Sequence, residues 1–194
     1  MIRFNPVKVV TPSTLEAITL SEAKEHLKID GDDENTLIRL YVNAAVKRCE
    51  DYRQSAIMSA EHEMHSSSFD YSFNLQKHPV TAINSVKYYD ENNALQTVAT
   101  SDYRLQDFRQ PCFLEFDTEF DVPDLYEREY PVVINFQAGY LSASTVPATI
   151  KLGILSELGT FNEFRQSVIS GNGLTSIQIK EVSKDLLDAE TMWV

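Results

Sequence analysis

The chain has 194 residues, of which 43% are apolar, and a formal net charge of −12 at neutral pH. A length of this order buries one substantial core or two small ones. The acidic balance argues against a nucleic-acid groove binder, whose phosphate contacts need clustered Lys and Arg, and against docking on anionic membranes. No apolar run approaches the roughly 18 residues of a membrane-spanning helix, and the opening MIRFNPVKVV lacks the apolar core of a secretory signal. Cys49 and Cys112, with no regular spacing, fit free thiols in a reducing cytoplasm better than a disulfide framework.

Residues 1–18 read as an extended N-terminal arm lying on the body or on a neighbouring subunit. Val7, Val9 and Val10 favour strand, and Pro6 and Pro12 discourage helix. Thr19 followed three residues later by Glu22 fits a capping box. Leu20, Ala23 and Leu27 recur at helical spacing, Lys24 and Lys28 suit a helix C-terminus, and Gly31 suits the left-handed residue that ends such a helix. Asp32 or Asp33 can cap a second, longer helix, with Glu34 in its first turn. Its core-facing line is Ile38, Tyr41, Val42, Ala45, Cys49, Tyr52 and Ala56, opposite Asn43, Lys47, Glu50 and Gln54. Leu37, Leu40 and Ala44 widen the apolar side beyond one stripe. A helix of roughly 22 residues spans about 33 Å, and such a helix needs partners on more than one side, a hint of assembly.

From Met58 to Tyr140 the period changes to two. Met58, Ala60, His62 and Met64 alternate with Ser59, Glu61, Glu63 and His65. Further strands are expected around Phe73 and Leu75, from Ile83 to Tyr89, from Leu95 to Ala99 (a hairpin across Asp90–Asn93), and at Tyr103–Gln106, Cys112–Asp117 and Val132–Gln137. Turn signals at these intervals fit a small antiparallel sandwich or barrel. Between the last two strands, Asp117, Glu119, Asp121, Asp124, Glu127 and Glu129 face a single Arg128 in a loop long enough to suggest a function or a contact.

Pro147 suits the first turn of another helix, with Ile150, Ile154, Leu158 and Phe161 as its apolar line and Leu155 beside it. Gly153 and Gly159 permit close approach to a second helix. Its natural partner is the apolar face of the long helix. The architecture expected is therefore α+β. A helical body (19–57 and 145–165) carries an inserted antiparallel β domain (58–140), and a C-terminal arm (166–194) follows. In that arm LTSIQIKEV reads as a strand or extended segment, and Trp193 lies close to the last residue, where docking on another subunit competes with folding back.

Residues with catalytic or metal-binding potential fail the tests of pattern. Asp30–Asn35 places Asn35 where a calcium loop needs Gly and Tyr41 where it needs a bidentate Glu. His62 and His65 point to opposite faces of a strand. His26 and His78 are isolated, and Gly171–Gly173 lacks the Lys and the strand-to-helix setting of a phosphate loop. Cys49 has no His at a helical offset and reads as core. Glu115 and Asp117 share a strand face, a faint glycosidase pattern better explained by sheet packing. No enzyme, cofactor or metal is expected.

Three stretches carry a family resemblance. They are VTPSTLEAITLSEAKEHLKIDGDDENTLIRLYVNAAVKRCEDYRQSAI (10–57, with an aromatic, Tyr52, near the helix end), HPVTAINSVKYYDENNALQTVATSDYRL (78–105) and INFQAGYLSASTVPATIKLGILSELGTFNEFR (134–165). In order and spacing they resemble the head–tail connector (adaptor) proteins of long-tailed bacteriophages and prophages. The resemblance covers most of residues 7–165 and weakens after Arg165. It implies a virion structural protein at the head–tail junction, assembled in the host cytoplasm into a ring, a dodecamer in the virion. That ring would lie under the portal protein, join it to a head-closure (stopper) or tail protein, and leave a channel through which DNA passes without specific binding. Leu37, Leu40, Tyr41, Ala44 and Trp193 are then candidates for the subunit or portal interface. Asp30, Asp32, Asp33, Glu34, Asp117, Glu119 and Asp121 are candidates for a channel wall that repels phosphates. The rival from another class is a monomeric binding module whose β insertion recognises a sugar or peptide in an aromatic groove. A hydrolase would instead show a pocket of paired acids with displaced pKa values.

Overall fold

A computed structural model of the chain describes residues 5–107 and 111–163. The described residues divide into two compact units, one built from residues 5–14 together with Met58–Leu141, the other from Leu15–Ile57 and residues 142–163. Among the described residues there are three α-helices and two antiparallel sheets, a mixed α+β fold.

The sheet unit contains β1 (Val7–Thr11), β2 (Ala60–Ser66), β3 (Ser72–Asn74), β4 (Val80–Tyr89), β5 (Leu95–Thr97), β6 (Tyr103–Gln106), β7 (Phe113–Phe116) and β8 (Val132–Ala138). Five strands order as β1-β2-β8-β4-β5 and three as β3-β7-β6. Central β8 buries every second residue, Val132, Ile134, Phe136 and Ala138, as the period-two pattern of a one-sided sheet requires. Residues 7–11, read from sequence as part of an arm, pair with β2 from Val7 opposite Met64 to Thr11 opposite Glu61. That pairing is non-local, across some fifty residues; Val7, Val9 and Val10 mark the segment as extended, and nothing in it names the partner strand. Phe69 contacts Tyr88 of β4, Phe116 of β7 and Phe120, and Phe116 also meets Phe73 and Tyr103, so one aromatic cluster joins the two sheets.

Alternation along β2 buries His62 and leaves His65 half-exposed on the other face. The His62 ring stacks on Phe136 at 5.5 Å, and its Nδ1–H donates to the Ala60 carbonyl at 3.0 Å. Burial, above all, holds both imidazoles below the usual histidine value of 6.5. As pH falls through that value the unfolded chain takes up protons that the folded chain resists, so the stability these groups permit is whole above 6.5 and declines below it. We expect the melting temperature to drop on acidification below pH 6.5 and before the carboxylates titrate, with a shallower drop in His62→Phe. Identical slopes in the two proteins would contradict this.

Gly139, which follows β8, has φ +110°. A Cβ here would strike the Met58 carbonyl and lie 2.7 Å from the Ser59 nitrogen. The closeness comes from the pairing of this segment with residues 58–59, where the Ser59 N–H donates to the Tyr140 carbonyl at 3.0 Å.

In the helical unit, α1 (Leu20–Leu27) opens with a complete capping box. The Glu22 N–H donates to Thr19 Oγ1 at 3.2 Å, and the Thr19 N–H donates to the Glu22 carboxylate at 2.8 Å. Lys151 Nζ also reaches that carboxylate at 3.2 Å. The Thr19 bonds, foremost, hold the Glu22 carboxyl below its usual range. Thr19→Ala is expected to cost about 1 kcal/mol in chemical denaturation, and a variant as stable as the parent would remove the cap from the account.

The helix ends sooner than the sequence suggested. Lys28, not Gly31, is the left-handed terminal residue, with φ 55°. Its N–H donates to the Glu25 carbonyl and that of Ile29 to the Lys24 carbonyl, a Schellman closure that compensates a non-glycine residue in this conformation. Gly31, also at positive φ, lies further along the turn.

The long helix α2 (Asn35–Arg53) has 19 residues rather than about 22. Its N-cap residue is Glu34, whose side chain makes no capping bond, in place of the expected Asp32 or Asp33. Asp32 is engaged elsewhere, accepting from Lys24 Nζ and Asn35 Nδ2, each at 3.0 Å. α2 buries Ile38, Val42, Ala45 and Cys49, but Tyr52, expected on that face, is 41% exposed.

α3 (Ala148–Glu163) follows Pro147, whose carbonyl accepts from the Lys151 N–H at 3.1 Å. It packs antiparallel to α2, since Tyr41 stacks on Phe161 at 6.3 Å while Arg48 pairs with Glu157 at 3.0 Å. Ile150, Ile154 and Leu158 fill the core between them, and Gly159 lies beside His26 of α1, where an added Cβ would make an ordinary contact at 3.6 Å from its Nε2. No described helix is long and apolar enough to cross a membrane.

Candidate functional site

The residues singled out by sequence fall on three surfaces. The first is the outer side of α2. Leu40 is 62% exposed and Ala44 is exposed, while Leu37 and Tyr41 are half-buried beside them. Positions 37, 40, 41 and 44 share one side of a helix, adjacent to the line that faces α3. Tyr41 is therefore shared, stacked on Phe161 yet only half-buried. Leu152 of α3, 51% exposed, is a further large apolar residue on this unit's surface. The sequence signal was available, because α3 has apolar side chains all round and Leu152 stands opposite the Ile150–Ile154 line. Trp193 lies outside the described residues.

The second surface is the acidic corner between α1 and α2. Asp30, Asp32 and Asp33 are exposed and Glu34 is half-buried at the helix start. Lys24, and then Asn35, hold the Asp32 carboxyl below its usual range, so the Asp32 charge has a local counter-ion.

The third is the loop from 117 to 130 in the sheet unit. Asp117, Glu119, Asp121, Asp124, Glu127 and Glu129 are all exposed. The loop is nonetheless fastened. Phe120 stacks on Phe116 at 4.8 Å, Leu125 bridges to Asp90, and the Tyr126 N–H donates to the Tyr89 carbonyl at 3.0 Å. Arg128, the loop's one cation, lies over the Tyr89 ring at 3.9 Å. A hydrogen bond to Glu129 raises the Tyr130 hydroxyl. Anchored apolar side chains thus hold the carboxylates outward, so the acidic field is a fixed property of this surface.

Groups with reactive potential are otherwise engaged. Cys49 is fully buried, and burial, reinforced by Glu157, pushes its thiol up to about 12, so no thiolate forms at neutral pH. Glu115 accepts from Gln106 Nε2 at 2.7 Å and pairs with Arg104 at 3.5 Å. Asp117 Oδ1 accepts from the Glu119 N–H and the Thr118 hydroxyl, both at 3.3 Å, as a turn-forming aspartate. Among the described residues no three His, Cys, Asp or Glu side chains are grouped to hold a metal ion.

Comparison with known sequences assigns the class. The profile described as "Phage gp6-like head-tail connector protein" matches residues 17–121, more than half of the chain. The chain belongs to this family and is a virion structural protein of the head–tail junction. Solved structures agree in fold. A chain in "Neck of empty GTA particle computed with C6 symmetry" superposes with TM-score 0.77 at 18% identity, over 97% of both chains. One in "Virion of native gene transfer agent (GTA) particle" gives 0.74 at 18%, over 97% of this chain and 96% of the other. One in "Neck of native GTA particle computed with C12 symmetry" gives 0.71 at 19%, over 97% of both. No curated protein matches the sequence.

Proposed function

We propose that the chain forms a twelve-membered ring beneath the portal protein of a phage or prophage-derived head and joins it to a head-closure or tail protein. Double-stranded DNA passes through the ring's channel without specific binding. The observation that carries this reading is the family match over residues 17–121. The likeness to neck chains of particles treated with sixfold and twelvefold symmetry supports the ring order. On this reading the protein acts by assembly and is not an enzyme. Residues 19–57 and 145–165 form the connector body, 58–140 an inserted β domain, and 166–194 an arm that grips a neighbour or the portal. Leu37, Leu40, Tyr41 and Ala44, with Trp193 from the arm, meet the neighbouring subunit or the portal. A stripe of exposed apolar side chains beside a packed helix pair is the surface on which a second copy removes most apolar area from water.

The acidic surfaces serve the channel. DNA carries one negative charge per about 1.7 Å of axis, so a wall of Asp and Glu keeps it mobile where Lys and Arg would bind it. Asp117, Glu119 and Asp121, or Asp30, Asp32, Asp33 and Glu34, are the candidate clusters. Reversing one cluster to Lys is expected to leave ring formation intact and to slow DNA ejection, with the defect relieved by added salt. Unchanged ejection in both sets would remove the acids from this role. The function itself is tested by producing particles without the chain. DNA-filled heads that fail to join tails, rescued by the wild-type protein, are expected, whereas normal tailed particles would overturn the reading.

A further inference from the structure

Strand β1 begins the five-stranded sheet, and no described strand pairs with its outer edge. An open edge presents a row of unpaired N–H and C=O groups, and natural proteins blunt such edges by shortness, charge or proline. β1 is the longest of the four edge strands described, with five residues against three in β5, three in β3 and four in β6, and its ladder with β2 shifts register between Val9 and Thr11. Its one charge, Lys8, is drawn to Glu63 of the paired strand at 2.8 Å. Val9 and Val10 are 53% and 44% exposed. Pro6 and Pro12 bracket this window and restrict an added strand to the register of Val7–Thr11.

The chain also contains a segment suited to that edge. Residues 174–182, outside the described part, read LTSIQIKEV. Thr175, Ile177, Ile179 and Val182 are β-branched, Ile177 and Ile179 alternate with Gln178 and Lys180, and proline is absent. The Gly171-Asn172-Gly173 run before it interrupts any helix continuing from α3. Ten residues separate it from Glu163, the end of α3, a reach of up to about 34 Å when extended.

We propose that Leu174–Val182 of one subunit adds as a further strand to the β1 edge of a neighbouring copy, with Ile177 and Ile179 packing beside the exposed valines. Each subunit then offers one donor strand and one acceptor edge. That is a head-to-tail contact, which leaves no β1 edge unsatisfied when the ring closes. The inference rests on the ring reading only for the presence of the neighbour.

The test uses the full-length chain carrying Val9→Cys together with Ile177→Cys or Ile179→Cys, assembled on the portal protein, oxidised and run denatured without reductant. Native Cys49 and Cys112 are buried, and the single variants serve as controls. Disulfide-linked multimers extending to the ring size are expected, since paired strands bring Cα atoms to about 4.5–5.5 Å. A cross-link confined to single chains would place the segment on its own edge and overturn the proposal. Rings without any cross-link would overturn it too, and leave the ring reading standing. If wild-type protein forms no ring, that reading fails first, and this one with it. A second measurement avoids engineered cysteines. Ile177→Pro with Gln178→Pro alters no described residue and, because the N–H groups of successive strand residues point to opposite sides, removes a ladder N–H whichever side faces β1. Amide exchange over Val7–Thr11 should be about tenfold faster in rings of this variant than in wild-type rings, and equal rates would overturn the proposal.

Discussion

Gly139→Ala is expected to lower stability by about 3 kcal/mol or more, a melting shift of about 6–12 °C for a chain of this size. Two costs combine at this position. A φ of +110° is a region that residues with a Cβ rarely adopt. In addition the new methyl would meet backbone, the Met58 carbonyl and the Ser59 nitrogen, rather than the far end of a side chain that could swing away. Relief would require residues 58–59 to move off Tyr140, breaking the Ser59–Tyr140 hydrogen bond and the start of the β2–β8 ladder. Thermal and chemical denaturation measure the effect directly. A loss under about 0.5 kcal/mol, the range of an ordinary surface substitution, would mean that the close approach is absent.

Leu40→Glu should do the opposite, sparing the subunit and abolishing the ring. Leu40 is 62% exposed and lies mid-helix, and Leu and Glu have nearly equal helix propensity, so the lone chain should melt within about 0.5 kcal/mol of wild type. On the reading proposed above, every subunit interface would gain a buried carboxylate in a protein already at −12. A central interface residue is worth about 2 kcal/mol or more, roughly thirtyfold in affinity, and the loss recurs at every contact around the ring. Sedimentation of the variant with the portal protein should find unassembled subunits. Intact rings would remove the outer stripe of α2 from the interface and turn attention to Leu152.

What could be read in the sequence divides by the range of the interaction responsible. The start of α1 was legible because Thr19 and Glu22 are three residues apart and satisfy each other's free donors. Its end was not, because the Lys28 closure depends on backbone geometry that no side chain announces. The buried line of α2 followed from periodicity through Ile38, Val42, Ala45 and Cys49. Tyr52 broke it because a period of 3.6 assigns a residue to a face without saying how much of that face a partner covers. The alternation in residues 60–66 and 132–138 gave strands, yet the pairing of Val7–Thr11 with β2 is a contact across the chain and was read as an arm. For the site, exposure of Leu40 and Ala44 was foreshadowed by an apolar face wider than one partner could cover. The acidic run at 117–129 was visible as charge, while its anchoring through Phe120, Leu125 and Arg128 required the fold. The Ala138-Gly139-Tyr140 stretch stood out by resemblance, and only the register with residues 58–59 gives its glycine a physical reason.

The central claim, that this chain works as a ring joining a head to a tail, is tested most directly by native mass spectrometry of the protein alone and with the portal protein of the same genome. The account predicts a closed ring or twelve copies bound to the portal, and it permits a monomer when the portal is absent. A strict monomer that does not bind the portal would contradict it.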